Sequence, residues 1–289
     1  MIQTIPNFSG EIKSDATTLE TFSRDASVFR ITPEVVVVPK NTEDIKALVH
    51  YVLEKRASGD INVSLTARSA GTCMSGGPLS DSVVVSFTEY INSIGEVVGN
   101  TIATGPGAYY RDVEKKTLAS GMVFPSYPAS KALCAMGGII NNNSGGEKTL
   151  KYGKTVDYVE SVDMVCADGN LYTFKEFSGA ELQNIIDNDQ TLFGDLHRKI
   201  YSLVKANKSE ILTAKPTVTK NSAGYYLWDS WNEDRQSLIL ARLVCGAQGT
   251  LGLVTSSTIR IVPVAHFVHT LVTFVGSVAD IQKVVAATL

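Results

Sequence analysis

A chain of 289 residues, 44% hydrophobic and 19% charged, can bury one large core or two modest ones and is not a disordered segment. Its formal net charge of -3 argues against a nucleic acid or an anionic membrane as the main partner. Four cysteines, Cys73, Cys134, Cys166 and Cys245, stand far apart without a C-x-x-C pair, which excludes a zinc ribbon and suits free thiols in a reducing compartment. The opening MIQTIPNFSG has no basic stretch followed by an apolar run, so no secretory leader is expected. No apolar run approaches the roughly 20 residues of a membrane span. A cytoplasmic protein without a transmembrane segment is the expectation.

Val35-Val36-Val37-Val38, closed by Pro39, reads as a buried strand. Asn41 or Thr42 then caps a helix whose apolar stripe is Ile45, Leu48, Val49, Val52 and Leu53. Gly59-Asp60 ends the helix, and Ile61, Val63 and Leu65 alternate as the next strand. A loop of small residues leads to a further strand over 83–87. The unit is β-α-β plus one strand, parallel at least at its start.

The second half has a different grammar. Residues 158–167 and 170–174 flank Asp168-Gly169, a two-residue hairpin signal. Helical patches follow within 178–235, around Leu192, Leu196, Ile200, Leu203 and Val204. Residues 238–244 and 251–262 read as two strands joined by Gly246-Ala-Gln-Gly-Thr250, within an antiparallel sheet. Residues 269–275 read as a strand, and Ser277 with Asp280 as a capping box for a helix running to Leu289. There the chain begins what looks like a second domain.

Three small-residue blocks carry the chemistry. In the first, Arg68 to Leu79, glycines let the backbone take positive φ and approach a ligand. Successive N–H groups can then enclose an anion, with Ser69, Thr72 and Ser75 adding hydroxyls. Alone this is also how a flexible surface loop reads, but strand ends of an α/β unit are where ligands sit. It is neither a G-x-x-x-x-G-K-[ST] loop nor a G-x-G-x-x-G turn; Gly105-Pro-Gly107 has Tyr110 where the third glycine should be. The second block is Pro128-Ala-Ser130, Gly137-Gly138 and Asn141-Asn-Asn-Ser-Gly-Gly146; the third is Gly246 to Val254. Such sequences make poor helix and poor strand, and a flat ligand lying on bare backbone would explain them.

Together these motifs resemble the FAD-linked oxidases and dehydrogenases of the vanillyl-alcohol oxidase and p-cresol methylhydroxylase type. Within that family the likeness is to the D-lactate, glycolate and D-2-hydroxyglutarate dehydrogenase branch, over roughly residues 25–263. Arg68-Ser-Ala-Gly-Thr72 with Ser75-Gly-Gly77 matches the family's pyrophosphate loop. Pro128-Ala-Ser130, Gly137-Gly138, Asn143-Ser-Gly-Gly146 and Lys151-Tyr-Gly153 match its flavin-contacting run, and 246–254 the segment near the adenine end. Asp25-Ala-Ser27 resembles a short motif before the first strand.

The resemblance implies an α+β fold: an FAD-binding domain over 1–263 of two α/β subdomains. One, about 28–90, has a small mostly parallel sheet; the other, about 100–263, a larger antiparallel sheet with flanking helices. Residues 264–289 would start a C-terminal substrate domain. The implied cofactor-binding residues are Arg68, Ser69, Ala70, Gly71, Thr72, Ser75 and Gly76 in the first block. In the second they are Pro128, Ala129, Ser130, Gly137, Gly138, Asn142, Asn143, Ser144 and Gly145, and in the third Gly249, Gly252 and Val254. Covalent members place histidine where Thr72 stands, so FAD is expected to be non-covalent. An acidic residue usually precedes Pro128, where Tyr127 stands, and Glu is common at the position of Gln248.

The implied reaction is oxidation of a D-2-hydroxy acid by hydride transfer to flavin N5, with a small-molecule substrate and an electron acceptor the sequence does not name. The catalytic base and any metal ligands are expected from the C-terminal domain, so no catalytic residue and no metal is assigned here. His50, His197, His266 and His269 read as structural or solvated. Two alternatives stand beside this reading: a non-catalytic flavin-carrying subunit, and a flavoprotein of the same fold like the enolpyruvyl reductases of cell-wall synthesis.

Overall fold

A computed structural model describes every residue except 1, 3, 219, 220, 223 and 289. The N-terminal half contributes β1 (Glu11–Lys13), α1 (Ala16–Phe22), β2 (Val35–Val38), α2 (Thr42–Ala57), β3 (Leu65–Arg68) and β4 (Val83–Ser86). All four valines of β2 are buried, because β-branched side chains fill a pleat covered on both faces. Asn41 caps α2, accepting the Asp44 N–H at 2.9 Å, and Ile45, Leu48 and Val49 face the sheet while Leu53 is 42% exposed. Among the described residues the strand order is β1-β2-β4-β3, with β2, β4 and β3 parallel and β1 antiparallel at the edge.

β3 begins later than the alternation of Ile61, Val63 and Leu65 predicts. Its ladder opens at Leu65 opposite Val83, where β4 itself starts, so Ile61 has nothing to pair with and is 72% exposed. β3 and β4 are adjacent and parallel, so the chain between them must return across the sheet. That return is the first small-residue block.

The remainder supplies β5 (Ile94–Val98), β6 (Thr101–Thr104), α3 (Tyr110–Ala119), β7 (Met122–Val123), α4 (Met136–Asn141), α5 (Thr149–Tyr152), β8 (Val159–Val165) and β9 (Leu171–Ser178). It continues with α6 (Gly179–Asn188), α7 (Leu192–Ala206), α8 (Lys208–Thr213), β10 (Trp231–Asn232), β11 (Ser237–Ile239), α9 (Ala241–Val244), β12 (Leu253–Arg260), β13 (Val262–Pro263) and α10 (Val278–Thr288). A second, antiparallel sheet runs β10-β11-β9-β8-β12-β6-β5. The Asp168-Gly169 hairpin forms as predicted, with Gly169 at φ +79°. The fold is thus α+β, a small mostly parallel sheet beside a larger antiparallel one. Val165 and Leu253 of the large sheet pack into the core of the small one, with Val35, Ile45 and Val83.

Two expectations fail here. Residues 251–262 supply β12 of the antiparallel sheet, between β8 and β6, but 238–244 are not a strand throughout: β11, paired with β9, ends at Ile239 and residues 241–244 turn into α9. A short, mostly apolar run, here broken only by Arg242, cannot by itself distinguish a buried strand from a buried helix. Residues 269–275 form no strand; Leu271 and Phe274 are 75% and 93% exposed, because no described sheet edge offers them a ladder.

Candidate functional site

The first block leaves the C-terminal end of β3. Arg68 turns back: its guanidinium lies 4.8 Å from the Phe22 ring centroid and donates to the Phe22 carbonyl at 3.2 Å. Burial pulls this guanidinium below its ordinary range, with Asp25 acting against the shift. A Cβ at Gly71 would stand 2.6 Å from Arg68 Nη2, and Gly71 has φ +66°. Arg68 therefore props the loop from beneath, and only glycine fits above it. Gly76 (φ +80°) donates its N–H to Asp25 Oδ2 at 3.1 Å, so the Asp25-Ala-Ser27 motif anchors the loop's far side. Ser75 Oγ lies 3.2 Å from Cys73 Sγ. Between these anchors the N–H groups of Ser69, Ala70, Gly71 and Thr72 find no acceptor among the described residues. Four adjacent amide donors at a strand end suit an anion.

The blocks interlock. The Pro106 carbonyl accepts from Ser69 Oγ at 2.7 Å and from the Gly137 N–H at 2.8 Å, tying the first block to the second. A Cβ at Gly137 would lie 2.7 Å from the Pro106 side chain, so that approach requires glycine, whereas one at Gly138 would meet only Ser69 at 3.9 Å. Asn141 ties the second block to the third. Its Oδ1 accepts the Gly249 N–H at 3.1 Å, its carbonyl the Gln248 N–H at 2.9 Å, and its Nδ2 donates to the Gly137 carbonyl at 2.9 Å. Gln248 Nε2 donates to Asn142 Oδ1 at 3.1 Å.

Other expected residues face inward. Asn143 (φ +44°) is 1% exposed, with Oδ1 accepting the Val156 N–H at 3.0 Å. The Ser144 carbonyl accepts from Ser126 Oγ at 3.1 Å and Thr155 Oγ1 at 2.8 Å. A Cβ at Gly145 would lie 2.7 Å from Thr149 Oγ1, and one at Gly252 would lie 2.7 Å from the Val165 carbonyl. Val254 is a core residue of β12, 4% exposed. The N–H groups of Asn143 and Ser144 are likewise taken up, donating to the Ile140 and Ile139 carbonyls at 2.9 Å each. Pro128, Ala129 and Ser130 form a turn in which the Ser130 carbonyl accepts the Leu133 and Cys134 N–H groups at 2.8 and 2.9 Å.

Sequence reading missed a fourth segment. Ser222 Oγ donates to the Asn143 carbonyl at 3.0 Å, and the Tyr225 hydroxyl lies 2.8 Å from Thr250 Oγ1. Gly224 at φ +72° was its one local signal. The histidines lie elsewhere. The ring of His50 sits against Gly169, whose Cβ would lie 2.4 Å from it; His266 and His269 are exposed. His197, on α7, is fully buried among Phe174, Phe177 and Phe193. Among the described residues no group of three or more His, Cys, Asp or Glu could hold a metal ion.

Residues 33–175 match a family model described as an FAD binding domain. The chain carries an FAD binding domain. The open amides of residues 69–72 suit an anion such as a pyrophosphate, and a Cβ at Gly138 would meet only Ser69 at 3.9 Å, so backbone is bare there. The chain is 24% identical over 256 residues to D-2-hydroxyglutarate dehydrogenase of Escherichia coli (strain K12), covering 88% of this chain and 25% of that protein. It is 27% identical to glycolate oxidase subunit GlcD of Bacillus subtilis (strain 168), covering 93% of this chain and 47% of that one. Likeness to D-lactate dehydrogenase of Archaeoglobus fulgidus is 27%, covering 79% and 39%. The chain thus spans from a quarter to under half the length of these relatives. A solved alkyldihydroxyacetonephosphate synthase shares the fold at TM-score 0.58 and 18% identity, over 89% of this chain and 38% of that one. No described helix is long and apolar enough to cross a membrane.

Proposed function

We propose that this chain is the FAD-holding part of an oxidoreductase acting on a D-2-hydroxy acid. The observation that carries the reading is the row of open amides at Ser69–Thr72, locked to two further glycine-rich loops within an FAD binding domain. Relatives named for D-2-hydroxyglutarate, D-lactate and glycolate supply the substrate class.

FAD, when bound, supplies an acceptor at flavin N5 for the hydride from C2 of the hydroxy acid. The chain's own residues bind and orient it. The amides of residues 69–72 would hold the pyrophosphate, Asp25 and Arg68 fix the loop that presents them, and Asn141 ties the second block to the third. Thr72 offers no covalent attachment point, so FAD is held by these contacts alone. No described histidine touches the three blocks, and the proton acceptor for the substrate hydroxyl is assigned outside the chain's described residues.

Anaerobic mixing of the FAD-loaded, full-length enzyme with D-lactate, glycolate or D-2-hydroxyglutarate should bleach the flavin band. Bleaching by NADPH alone would favour the enolpyruvyl-reductase-like reading instead. The similarity to a glycolate oxidase subunit supports a second reading, a flavin-carrying subunit, in which bleaching requires a partner chain.

A further inference from the structure

Lys154 is only 6% exposed, yet among the described residues no carboxylate lies within 4.0 Å of its ammonium. Its Nζ donates to the carbonyl of Asn221 and stands 5.0 Å over the ring of Tyr226. Its stem packs on the second block, where a Cβ at Gly145 would lie 3.6 Å from Lys154 Cγ. The backbone N–H of Lys154 is fixed by Asp157 Oδ2 at 2.8 Å, so the side chain leaves a rigid turn. Ser222 and Tyr225 add neutral hydrogen bonds from the same segment to the second and third blocks.

We propose that Lys154 is a positioning residue, a charged latch that holds Asn221 and Tyr226 against the FAD-binding loops. This rests on the FAD reading above. Burial acts against the charge, drawing the ammonium below the ordinary lysine range, while Asp157 and Asp229 favour it and Lys215 opposes it. A charge so placed persists because a charge-assisted hydrogen bond is roughly twice as strong as a neutral one and because the Tyr226 ring attracts the cation. A methionine of similar length would satisfy the packing but neither attraction.

The test compares wild type with Lys154→Met and Lys154→Arg in the 289-residue chain, by FAD titration followed through flavin fluorescence and by chymotrypsin cleavage after Tyr225, which is 46% exposed. Lys154→Met should bind FAD about tenfold or more weaker, change the bound-flavin fluorescence and speed cleavage; Lys154→Arg should restore most of each. Should Lys154→Met fail to fold, Ser222→Ala removes the neighbouring clasp without touching the charge and should weaken FAD binding and speed cleavage in the same direction. Equal weakening by Met and Arg, or wild-type behaviour of Met, would overturn the latch. If wild type itself fails to bind FAD, the cofactor reading has failed, and the cleavage rates without FAD still decide the latch.

Discussion

The N–H of Gly249 donates to Oδ1 of Asn141 at 3.1 Å, joining two small-residue loops 108 residues apart. The Asn141 Nδ2 also donates to the Gly137 carbonyl, so one side chain at the end of α4 sets the spacing of two walls. Asn141→Ala removes both bonds, each worth about 0.5–1.5 kcal/mol. FAD affinity should fall about tenfold with little change in far-UV circular dichroism. An unchanged affinity would show that the two blocks hold their spacing without this side chain.

Gly71→Ala tests the prop beneath the first loop. The added Cβ meets Arg68 Nη2 at 2.6 Å and a left-handed backbone, which costs an L-residue about 1–2 kcal/mol. The loop should shift, with FAD binding weakened about tenfold or more and urea stability lowered by about 1–2 kcal/mol. Gly138→Ala, whose Cβ finds open space, should keep wild-type stability and lose affinity only if a ligand lies there.

His197 gives a pH dependence with a definite sign. Its Nδ1 lies 2.7 Å from the Phe193 carbonyl, its Nε2 has no partner among the described residues, and the ring is enclosed by Phe174, Phe177 and Phe193. Burial lowers its pKa, so the unfolded chain takes up a proton that the folded chain refuses. The stability this group contributes is complete above the unfolded value of about 6.5 and is lost as pH falls from there toward the folded pKa. Urea unfolding should therefore show wild type weakening from pH 8 to pH 5.5 more than His197→Leu does. Parallel pH profiles would refute the assignment.

Residues 264–288 bury almost nothing: α10 has no buried residue, and Phe267, Val268 and Phe274 are more than 80% exposed. Deleting them should change stability by less than about 0.5 kcal/mol, as for surface changes generally, and leave FAD affinity intact. It should also reduce self-association, since contiguous exposed apolar residues drive it. A large loss of stability would mean that this segment packs where the structure leaves it exposed.

Local signals explain what was legible in the sequence. Val35–Val38, the capped α2 and the Asp168-Gly169 hairpin depend on neighbours in the chain, and each loop block declared itself by glycines and asparagines. What depends on distant partners was hidden. Residues 238–244 are apolar apart from Arg242, and only the placement of β9 and β8 decides where strand ends and α9 begins. The strand-like 269–275 has the pattern but no ladder to join. Asn142 and Asn143 look alike in sequence, yet the first bonds to Gln248 while the second turns into the core. The grip of Lys154 on Asn221 spans 67 residues and left no periodic mark.

The central claim is most directly tested by titrating the purified chain, stripped of ligand, with FAD, then precipitating it with acid. The account predicts saturable binding of one FAD per chain and a yellow supernatant over a colourless pellet. A chain that takes up no FAD would contradict the cofactor itself; colour retained in the pellet would contradict its non-covalent attachment.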